Sequence, residues 1–366
     1  MIRSRFVALA AIFCGLTAGS VLAGPINPLV GVNFQPYLGA WTGSPLAPPL
    51  FNSYTYNDVL ADLQVVKNAG FTSIKTYGIG TSPFSEQPGG TLDSNQYNVA
   101  AAHALGLSVF LGANLQFDGS TLNVARTHLE IDRAIQQAVA NPGTVKQLII
   151  GNESIGVNGV TVADMVDLMN YAKSARTAAG FTETTLPVTT VQQWGVLAGS
   201  ANQALNQAAE GIVYANIYPF FDAGTDITHA IAQFDADFNA LRTALNNFGL
   251  NALQIGIGET GWAKAGTNAV NPQGVPSIAN AQQYFADYVA HATVQSFLFA
   301  AFDEPWKANP TTDPNSVEPH FGVLNRPVSG TPSPVPEPSA IVLLALGVAG
   351  VMIAARRRPM KIQPRG

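Results

Sequence analysis

Short apolar runs alternate with longer amphipathic stretches along most of the chain. The apolar runs lack the alternation of a half-exposed strand and instead resemble parallel strands that are covered by helices on both faces. The eight predicted strands are residues 29–34, 73–77, 108–113, 145–150, 187–192, 211–217, 253–257 and 295–302. The predicted helices between them include residues 57–68, 124–140, 162–178, 228–248 and 278–292.

This alternation predicts an α/β fold, a single (β/α)8 TIM barrel. Eight strands, each followed by a helix at intervals of roughly 25 to 43 residues, match the strand count of that barrel. A doubly wound sheet is the alternative, but it would usually show fewer strands and a glycine-rich turn after the first one. The barrel domain is expected to span residues 24–326, and no internal linker divides it.

The N-terminal residues have the composition of a secretory signal peptide. A basic start, Met1 to Arg5, is followed by an apolar stretch and by small residues before Gly24. Residues 1–23 are therefore predicted to be removed on export through the inner membrane. The single cysteine, Cys14, lies inside this segment, so the mature chain would contain neither a disulfide nor a thiolate metal site.

The C-terminal residues have the pattern of a linker and a sorting helix. A Pro/Ser/Thr-rich linker at 327–338 precedes an apolar helix with an arginine cluster at 339–358 and a tail at 359–366. The apolar run is slightly short for a full span, which takes about 20 residues. Together with Val335-Pro336-Glu337-Pro338, these features resemble the PEP-CTERM sorting signal of certain Gram-negative bacteria. The resemblance implies a transient membrane anchor, cleavage by an exosortase, and release to the cell surface or extracellular matrix.

The charge of the predicted domain excludes some partners. Residues 24–330 contain 11 Lys and Arg against 22 Asp and Glu, a net charge of −11 with neutral histidines. Such a domain repels phosphate backbones and anionic lipid headgroups, so a nucleic-acid partner is not expected. The five histidines show no metal-ligand spacing, and no cofactor motif is convincing, so neither a metal nor an organic cofactor is expected. The oligomeric state has no sequence signal, and a monomer is the default.

Polar and aromatic side chains collect just past the predicted strand ends, where barrel enzymes carry their catalytic groups. Amides, carboxylates and aromatics suit a sugar, whose hydroxyls form hydrogen bonds and whose C–H faces stack on rings. A single aromatic residue at such a position packs in the core more often than it binds ligand. The candidates are Tyr37, Tyr77, Asn152, Glu153, Trp194, Tyr218, Glu259, Trp262, Glu304, Trp306 and Lys307.

Glu153 and Glu259 are the most informative of these candidates, because each closes an apolar run that predicts a buried strand. Two glutamates on separate strands can supply the pair of carboxyl groups that flanks a glycosidic bond. Each also has a structural alternative. Glu153 could interact with the N-terminus of the following helix, and Glu259 could be the buried ion-pair partner of Lys307 or Lys75.

Five motifs, in order along the chain, resemble glycoside hydrolase family 17, which comprises β-1,3-glucanases and related glucanosyltransferases. The match extends over nearly the whole predicted domain. One departure is Ala263-Lys264-Ala265, which replaces the proline-led turn that the family would have in the loop at one wall of the cleft. The motifs are Gly31-Val32-Asn33, Lys75-Thr76-Tyr77-Gly78, Gly151-Asn152-Glu153, Asn216-Ile217-Tyr218-Pro219 and Gly258-Glu259-Thr260-Gly261-Trp262.

The resemblance implies a role for each matching residue. Glu153 would be the acid/base after strand four, Glu259 the nucleophile after strand seven, and Asn152 the ligand of the sugar 2-hydroxyl. Tyr77 and Tyr218 match site tyrosines of the family. After strand eight, Glu304 and Lys307 resemble its supporting carboxylate and lysine, although a purely structural pair is about equally compatible with the sequence.

Three functions remain open from the sequence. The first is a retaining hydrolase of β-1,3-glucan with two carboxyl groups about 5–5.5 Å apart. The second is a transglycosylase that passes the glucosyl chain to another sugar and remodels exopolysaccharide. The third is a glycan-binding matrix protein without activity, which the presence of both glutamates disfavours.

Overall fold

The fold is a closed barrel of eight parallel strands, as the alternation predicts. The computed structural model describes residues 26–36, 55–80, 94–309 and 311–327. Each strand pairs with its neighbours along the chain, and the last pairs with the first. The strands are β1 Val30–Asn33, β2 Ser73–Lys75, β3 Ser108–Ala113, β4 Val145–Asn152, β5 Val188–Gln193, β6 Ile212–Asn216, β7 Gln254–Thr260 and β8 Ser296–Leu298.

Helices connect consecutive strands, and local sequence fixes where several of them begin. Thr55 forms a capping box with Asp58, and Thr161 forms one with Asp164, so each pair satisfies backbone N–H groups at a helix start. Gly106 ends one helix in a left-handed conformation. The helices are α1 Tyr56–Asn68, α2 Asn98–Leu105, α3 Val124–Ala140, α4 Val162–Ala178, α5 Trp194–Ala198, α6 Gln203–Ala208, α7 Ala230–Asn247 and α8 Ile278–His291.

Large side chains fill the barrel interior. Phe110, Ile149, Val191, Tyr214 and Phe297 form a cluster of their own, separate from the larger core between strands and helices. Phe110 contacts Phe297 edge-on, with 4.8 Å between ring centroids. The interior is therefore a packed core rather than a pore, and a ligand has access only at the ends of the barrel.

Several element boundaries differ from the sequence-based prediction. The strands β4 and β7 continue to Asn152 and Thr260, beyond the predicted ends at 150 and 257, so both motif glutamates lie at the edge of the sheet ladder. The strand β8 ends at Leu298, although the apolar run continues to Phe302. Residues 299–302 are buried without being part of the strand, because an apolar run reports burial and not hydrogen-bond pairing.

Other segments have no predicted counterpart or lie outside the described residues. The helices α2, α5 and α6 follow strands after which a helix is predicted without bounds, and a short hairpin, Phe117–Asp118 with Thr121–Leu122, has no predicted counterpart. The predicted signal peptide, apolar C-terminal helix and tail lie outside the described residues, as does the linker apart from Pro327. Within the described ranges, no helix is long and apolar enough to cross a bilayer.

A pair of carboxyl groups makes the stability of the barrel sensitive to pH. Asp237, buried on α7, forms a hydrogen bond with Asp222, which lies in the loop after β6. Burial and then the neighbouring Asp222 raise the pKa of Asp237 from 3.8 to about 7. Asp237 therefore holds a proton in the folded protein that it releases on unfolding, and its contribution makes stability fall as the pH rises from about 4 to about 7.

We expect Asp237→Asn to raise the free energy of unfolding by about 1–2 kcal/mol at pH 8 and to change it little at pH 4. Denaturant titrations at the two pH values measure this difference. Asp167→Asn, at an exposed position on α4, is the matched control and should change stability at neither pH. An equal effect of Asp237→Asn at both pH values would show that ionisation of the pair is not the cause.

Candidate active site

The strands place a group of polar side chains together at the carboxyl-terminal end of the barrel. Glu259 lies on β7 and Lys75 at the end of β2, with Tyr77 just beyond it. The remaining members of the group come from the ends of β1, β4, β5 and β6 and from the residues directly after them. They are Asn33, Asn152, Glu153, Gln193, Asn216 and Tyr218.

Glu259 is buried, and both of its oxygens accept hydrogen bonds. The hydroxyl of Tyr77 donates to Oε1 at 2.8 Å, and the hydroxyl of Tyr218 donates to Oε2 at 2.9 Å. Lys75 Nζ lies 3.4 Å from Oε1 and forms an ion pair with it. The carboxylate is thus fixed in position by three donors, one of them charged.

Lys75 is fully buried and joins three parts of the site. Besides Glu259, its Nζ donates to Asn33 Oδ1 at 3.1 Å and to Asn152 Oδ1 at 3.2 Å. Burial lowers the pKa of Lys75, and the Glu259 carboxylate opposes that shift. The side chain of Asn33 in turn donates to the Gly258 carbonyl at 3.1 Å, which ties the network to the strand that carries Glu259.

Glu153 has an unusual backbone conformation and two amide partners. Its φ is +50°, in the left-handed region that non-glycine residues rarely occupy, and its backbone N–H donates to the Val191 carbonyl. Asn216 Nδ2 donates to Oε1 at 2.7 Å, and Gln193 Nε2 donates to Oε2 at 3.3 Å. Strained backbone of this kind clusters at functional positions.

The two glutamates have different electrostatic surroundings. Burial, followed by the charge of Glu259, raises the pKa of Glu153, and the amides of Asn216 and Gln193 oppose the shift. Glu259, in contrast, has a direct ion pair with Lys75. One carboxyl group therefore favours a proton, and the other is held by a cation, which is the division that an acid and a nucleophile need.

The two tyrosines act as hydrogen-bond donors. Burial, followed by the charge of Glu259, raises the pKa of Tyr77 and of Tyr218 well above the ordinary value of a phenol. Both hydroxyls therefore stay protonated over the pH range in which a carboxylate is ionised. In the site without substrate, both tyrosines therefore donate to Glu259 throughout that pH range.

Glu304 and Lys307 form a second, adjacent pair. Lys307 Nζ lies 3.0 Å from Glu304 Oε2 and 4.1 Å from the centre of the Phe299 ring. Burial raises the pKa of Glu304, and Lys307 opposes the shift. Burial would lower the pKa of Lys307, but the charges of Glu304 and then Glu259 outweigh it and raise that pKa. Among the described residues, Lys75 and not Lys307 makes the ion pair with Glu259.

The tryptophans predicted to contact the sugar differ in how deeply they are buried. Trp262 is 3 % exposed, its indole N–H donates to the Val275 carbonyl, and its ring packs edge-on against Phe220. This burial leaves almost no ring face for a sugar, so the expected stacking role is replaced by packing in the core. Trp194 and Trp306 are half-buried, and Tyr37 lies outside the described residues.

Sequence reasoning misses part of this network. Asn33 and Asn216 stand inside the recognised motifs, yet the sequence assigns neither a role, and Gln193 has no signal beyond its place at a strand end. Lys75 opens one of those motifs, and the only role that the sequence offers for it is that of an alternative ion-pair partner of Glu259. Its place on a strand predicted to be buried is the available signal, because a fully buried lysine is rare unless it is paired.

A closed parallel barrel with two glutamates of contrasting surroundings at its carboxyl-terminal rim defines a site of the glycosidase type. Comparison with known families agrees with this class. Residues 31–322 match the BtgE/BtgC glycoside hydrolase domain, so the chain belongs to this family of glycoside hydrolases. Residues 334–358 match the PEP-CTERM protein-sorting motif. Both resemblances drawn from the sequence are thereby confirmed.

Curated relatives support the same family. A glucan 1,3-beta-glucosidase of Saccharomyces cerevisiae is 28 % identical over 61 % of this chain and 71 % of its own length. A probable beta-glucosidase btgE of Emericella nidulans is 25 % identical over 84 % of this chain. The alignment spans only 49 % of that second relative, which is therefore about twice as long as the matched region.

Solved structures share the fold. An active-site mutant of a Rhizomucor miehei beta-1,3-glucanosyltransferase superposes with a TM-score of 0.59 over 81 % of this chain and 92 % of that one, at 20 % identity. An endo-laminarinase from Formosa gives a TM-score of 0.63 over 81 % of this chain and 83 % of that one, at 17 % identity. At these identities the likeness establishes the barrel fold alone.

Proposed function

We propose that this protein is a retaining glycoside hydrolase of β-1,3-glucan, with Glu153 as acid/base and Glu259 as nucleophile. The observation that carries the proposal is the contrast between the two carboxyl groups at the barrel rim. Glu259 accepts from two tyrosines and a buried lysine, whereas burial and the charge of Glu259 favour the protonated form of Glu153. The glucan is proposed from the family and from the names of the relatives.

The contacts of Glu259 favour one of its oxygens as the attacking atom. Among the described residues, Oε1 accepts from Tyr77 and Lys75, whereas Oε2 accepts from Tyr218 alone. In the covalent intermediate one oxygen becomes the carbonyl of an ester and the other is bonded to the anomeric carbon. Oε1 can keep both donors as the carbonyl, so Oε2 attacks and only the Tyr218 hydroxyl has to find another acceptor.

The proposed reaction has two steps. In the first, Glu153 gives its proton to the glycosidic oxygen while Glu259 Oε2 bonds to the anomeric carbon, and the leaving sugar departs as an alcohol. In the second, the Glu153 carboxylate takes a proton from water, whose oxygen displaces Glu259. Because Lys75 occupies Asn152 Oδ1, the amide N–H groups of Asn152 serve the 2-hydroxyl of the sugar at the cleavage point.

The other candidates for substrate contact surround this centre. We assign Tyr77 and Tyr218 to the sugar at the cleavage point, since both already contact Glu259. Glu304 and Lys307 would support the same subsite, and Trp194 and Trp306, both half-buried, would offer ring edges or faces to neighbouring sugars. Transfer to a second sugar in place of water is the alternative outcome of the same chemistry.

The pH dependence of catalysis follows from the state of Glu153. The first step needs this carboxyl group protonated, and its pKa is raised by burial and by the charge of Glu259. We therefore expect kcat/KM to be retained below that raised pKa and lost above it, with the alkaline limb above the ordinary pKa of a glutamate side chain. A profile measured with a β-1,3-linked gluco-oligosaccharide checks this, and an alkaline limb at or below the ordinary value would contradict it.

Chromatography of the products from a defined β-1,3-linked gluco-oligosaccharide tests the proposed activity. Shorter products alone would identify a hydrolase, and products longer than the input would identify a transglycosylase. An unchanged oligosaccharide, from folded protein, would overturn the proposed substrate. Retention of the glucan on the protein without cleavage would then favour a binding protein.

The site of action is proposed from the sorting motif. The match at residues 334–358 supports export, processing by an exosortase and a final place at the cell surface or in the matrix. There the substrate would be exopolysaccharide of the producing cell. A matrix of unchanged glucan content in a strain that lacks the protein would count against this role.

A further inference from the structure

The side-chain amides of Asn216 and Gln193, which both donate to the Glu153 carboxyl group, differ in burial and in hydrogen-bond length. Asn216 is buried and donates to Oε1 at 2.7 Å, whereas Gln193 is exposed and donates to Oε2 at only 3.3 Å. The residues are paired in register on β5 and β6. The shorter, buried bond makes Oε1 the carbonyl oxygen of a protonated Glu153, so the transferable proton lies on Oε2, beside Gln193.

Gln193 also stands apart from the groups that hold the nucleophile. Lys75, Tyr77 and Tyr218 contact Glu259, and Lys75 links it to Asn152. The Gln193 amide instead donates to the acid/base. In the proposed reaction the sugar bonded to Glu259 lies beside Tyr77, Tyr218 and Asn152. A group that touches the proton-carrying oxygen of Glu153 would then face the sugar on the opposite side of the scissile bond.

We propose that Gln193 binds the sugar on the leaving-group side of the cleavage point and thereby sets how often a sugar, rather than water, accepts the glucosyl chain. This inference rests on the proposed function. The exposed amide has one N–H near Glu153 and keeps a second N–H and a carbonyl oxygen for sugar hydroxyls. In the second step the same amide holds an acceptor sugar where Glu153 can remove the proton of its hydroxyl.

Two substrates test the contact between Gln193 and a sugar, and the ratio of transfer to hydrolysis products separates this contact from an effect through the acidity of Glu153. A β-1,3-linked gluco-oligosaccharide places a sugar beside Gln193, whereas an aryl β-glycoside of the same donor sugar places an aromatic leaving group there. For Gln193→Ala we expect kcat/KM to fall roughly tenfold on the oligosaccharide. The loss on the aryl glycoside should be smaller than that by a factor of at least about three. Gln136→Ala, at an exposed position on α3, is the matched control and should change neither value.

Two further readouts come from the same variant. With the oligosaccharide at high concentration, the ratio of transfer to hydrolysis products should fall at least about threefold, since an acceptor sugar loses a contact and water does not. Removing the Gln193 amide also removes a group that lowers the pKa of Glu153. The alkaline limb of the profile should therefore move to higher pH with both substrates.

The outcomes distinguish this inference from the proposed function. Losses on the two substrates that differ by less than about threefold, or an unchanged product ratio, would overturn the role of Gln193 while the wild-type activity stands. Failure of the wild-type protein to act on either substrate would instead overturn the proposed function. Thermal unfolding of Gln193→Ala at the wild-type temperature confirms that the comparison concerns folded protein.

Discussion

Glu259→Gln should lose about 10⁴-fold or more in kcat on any substrate, while the folded barrel remains. The amide cannot form the ester, although it keeps the size of the carboxyl group. Its single oxygen at the Oε1 position still accepts from Tyr77, and its NH2 group donates to the Tyr218 hydroxyl. Glu153→Gln should lose about 10²–10⁴-fold on a glucan, because the leaving oxygen departs without a proton. Steady-state kinetics together with circular dichroism measure both effects.

An aryl glycoside together with added azide distinguishes the acid/base role of Glu153 from the nucleophile role of Glu259. An aryl glycoside needs little protonation, so a Glu153→Ala variant should form its intermediate, and azide should then release a β-glycosyl azide. A Glu259→Ala variant forms no intermediate, so azide can only attack the substrate directly and give the α-glycosyl azide. Glu183→Gln, at an exposed position, is the control that should remain fully active. Interchanged azide products would reverse the assigned roles.

The second large effect is expected for Lys75→Met, which should lower both the stability of the protein and its catalytic rate. Lys75 is fully buried against Glu259, and breaking a buried ion pair on one side costs about 3–5 kcal/mol because the remaining charge is left without its partner. Activity should fall about 10²–10³-fold, since Glu259 and Asn152 both lose their shared donor. Denaturant titration and kinetics measure the two losses.

A double-mutant cycle shows whether the loss arises from the charge of Glu259. Lys75→Met combined with Glu259→Gln should regain at least half of the lost free energy of unfolding, because the uncompensated charge is then removed. Lys146→Met, at an exposed position on β4, is the matched control and should cost less than about 0.5 kcal/mol. Additive effects of the two site substitutions would show that Lys75 and Glu259 are not coupled.

The fold was largely predictable because parallel strands buried on both faces leave a plain apolar signal. The run at 108–113 and the helices at 124–140 and 162–178 have the observed bounds. The end of β8 was not predictable, since residues 299–302 are as apolar as the strand but lie beyond its ladder. The short helices α5 and α6 lack the length at which a helical period becomes visible.

The sequence predicted those site residues that are charged and yet stand at the end of an apolar run. It did not predict the features that depend on which way a side chain points or on which strands are neighbours. A glutamate that ends an apolar run, as Glu153 and Glu259 do, is conspicuous in a sequence. The central position of Lys75 needs the closed barrel, because its partners Asn33, Asn152 and Glu259 come from three other strands. Trp262 follows Glu259 closely in the sequence yet packs into the core, since only backbone geometry decides which way a side chain points.

The anomeric configuration of the first product tests the central claim most directly. Proton NMR during early cleavage of a β-1,3-glucan oligosaccharide reads the new reducing end before it equilibrates with the other anomer. Double displacement through Glu259 predicts that this end appears first as the β-anomer and that the α-anomer grows in only later. A first product in the α configuration would mean a single displacement by water, and Glu259 would not be a nucleophile.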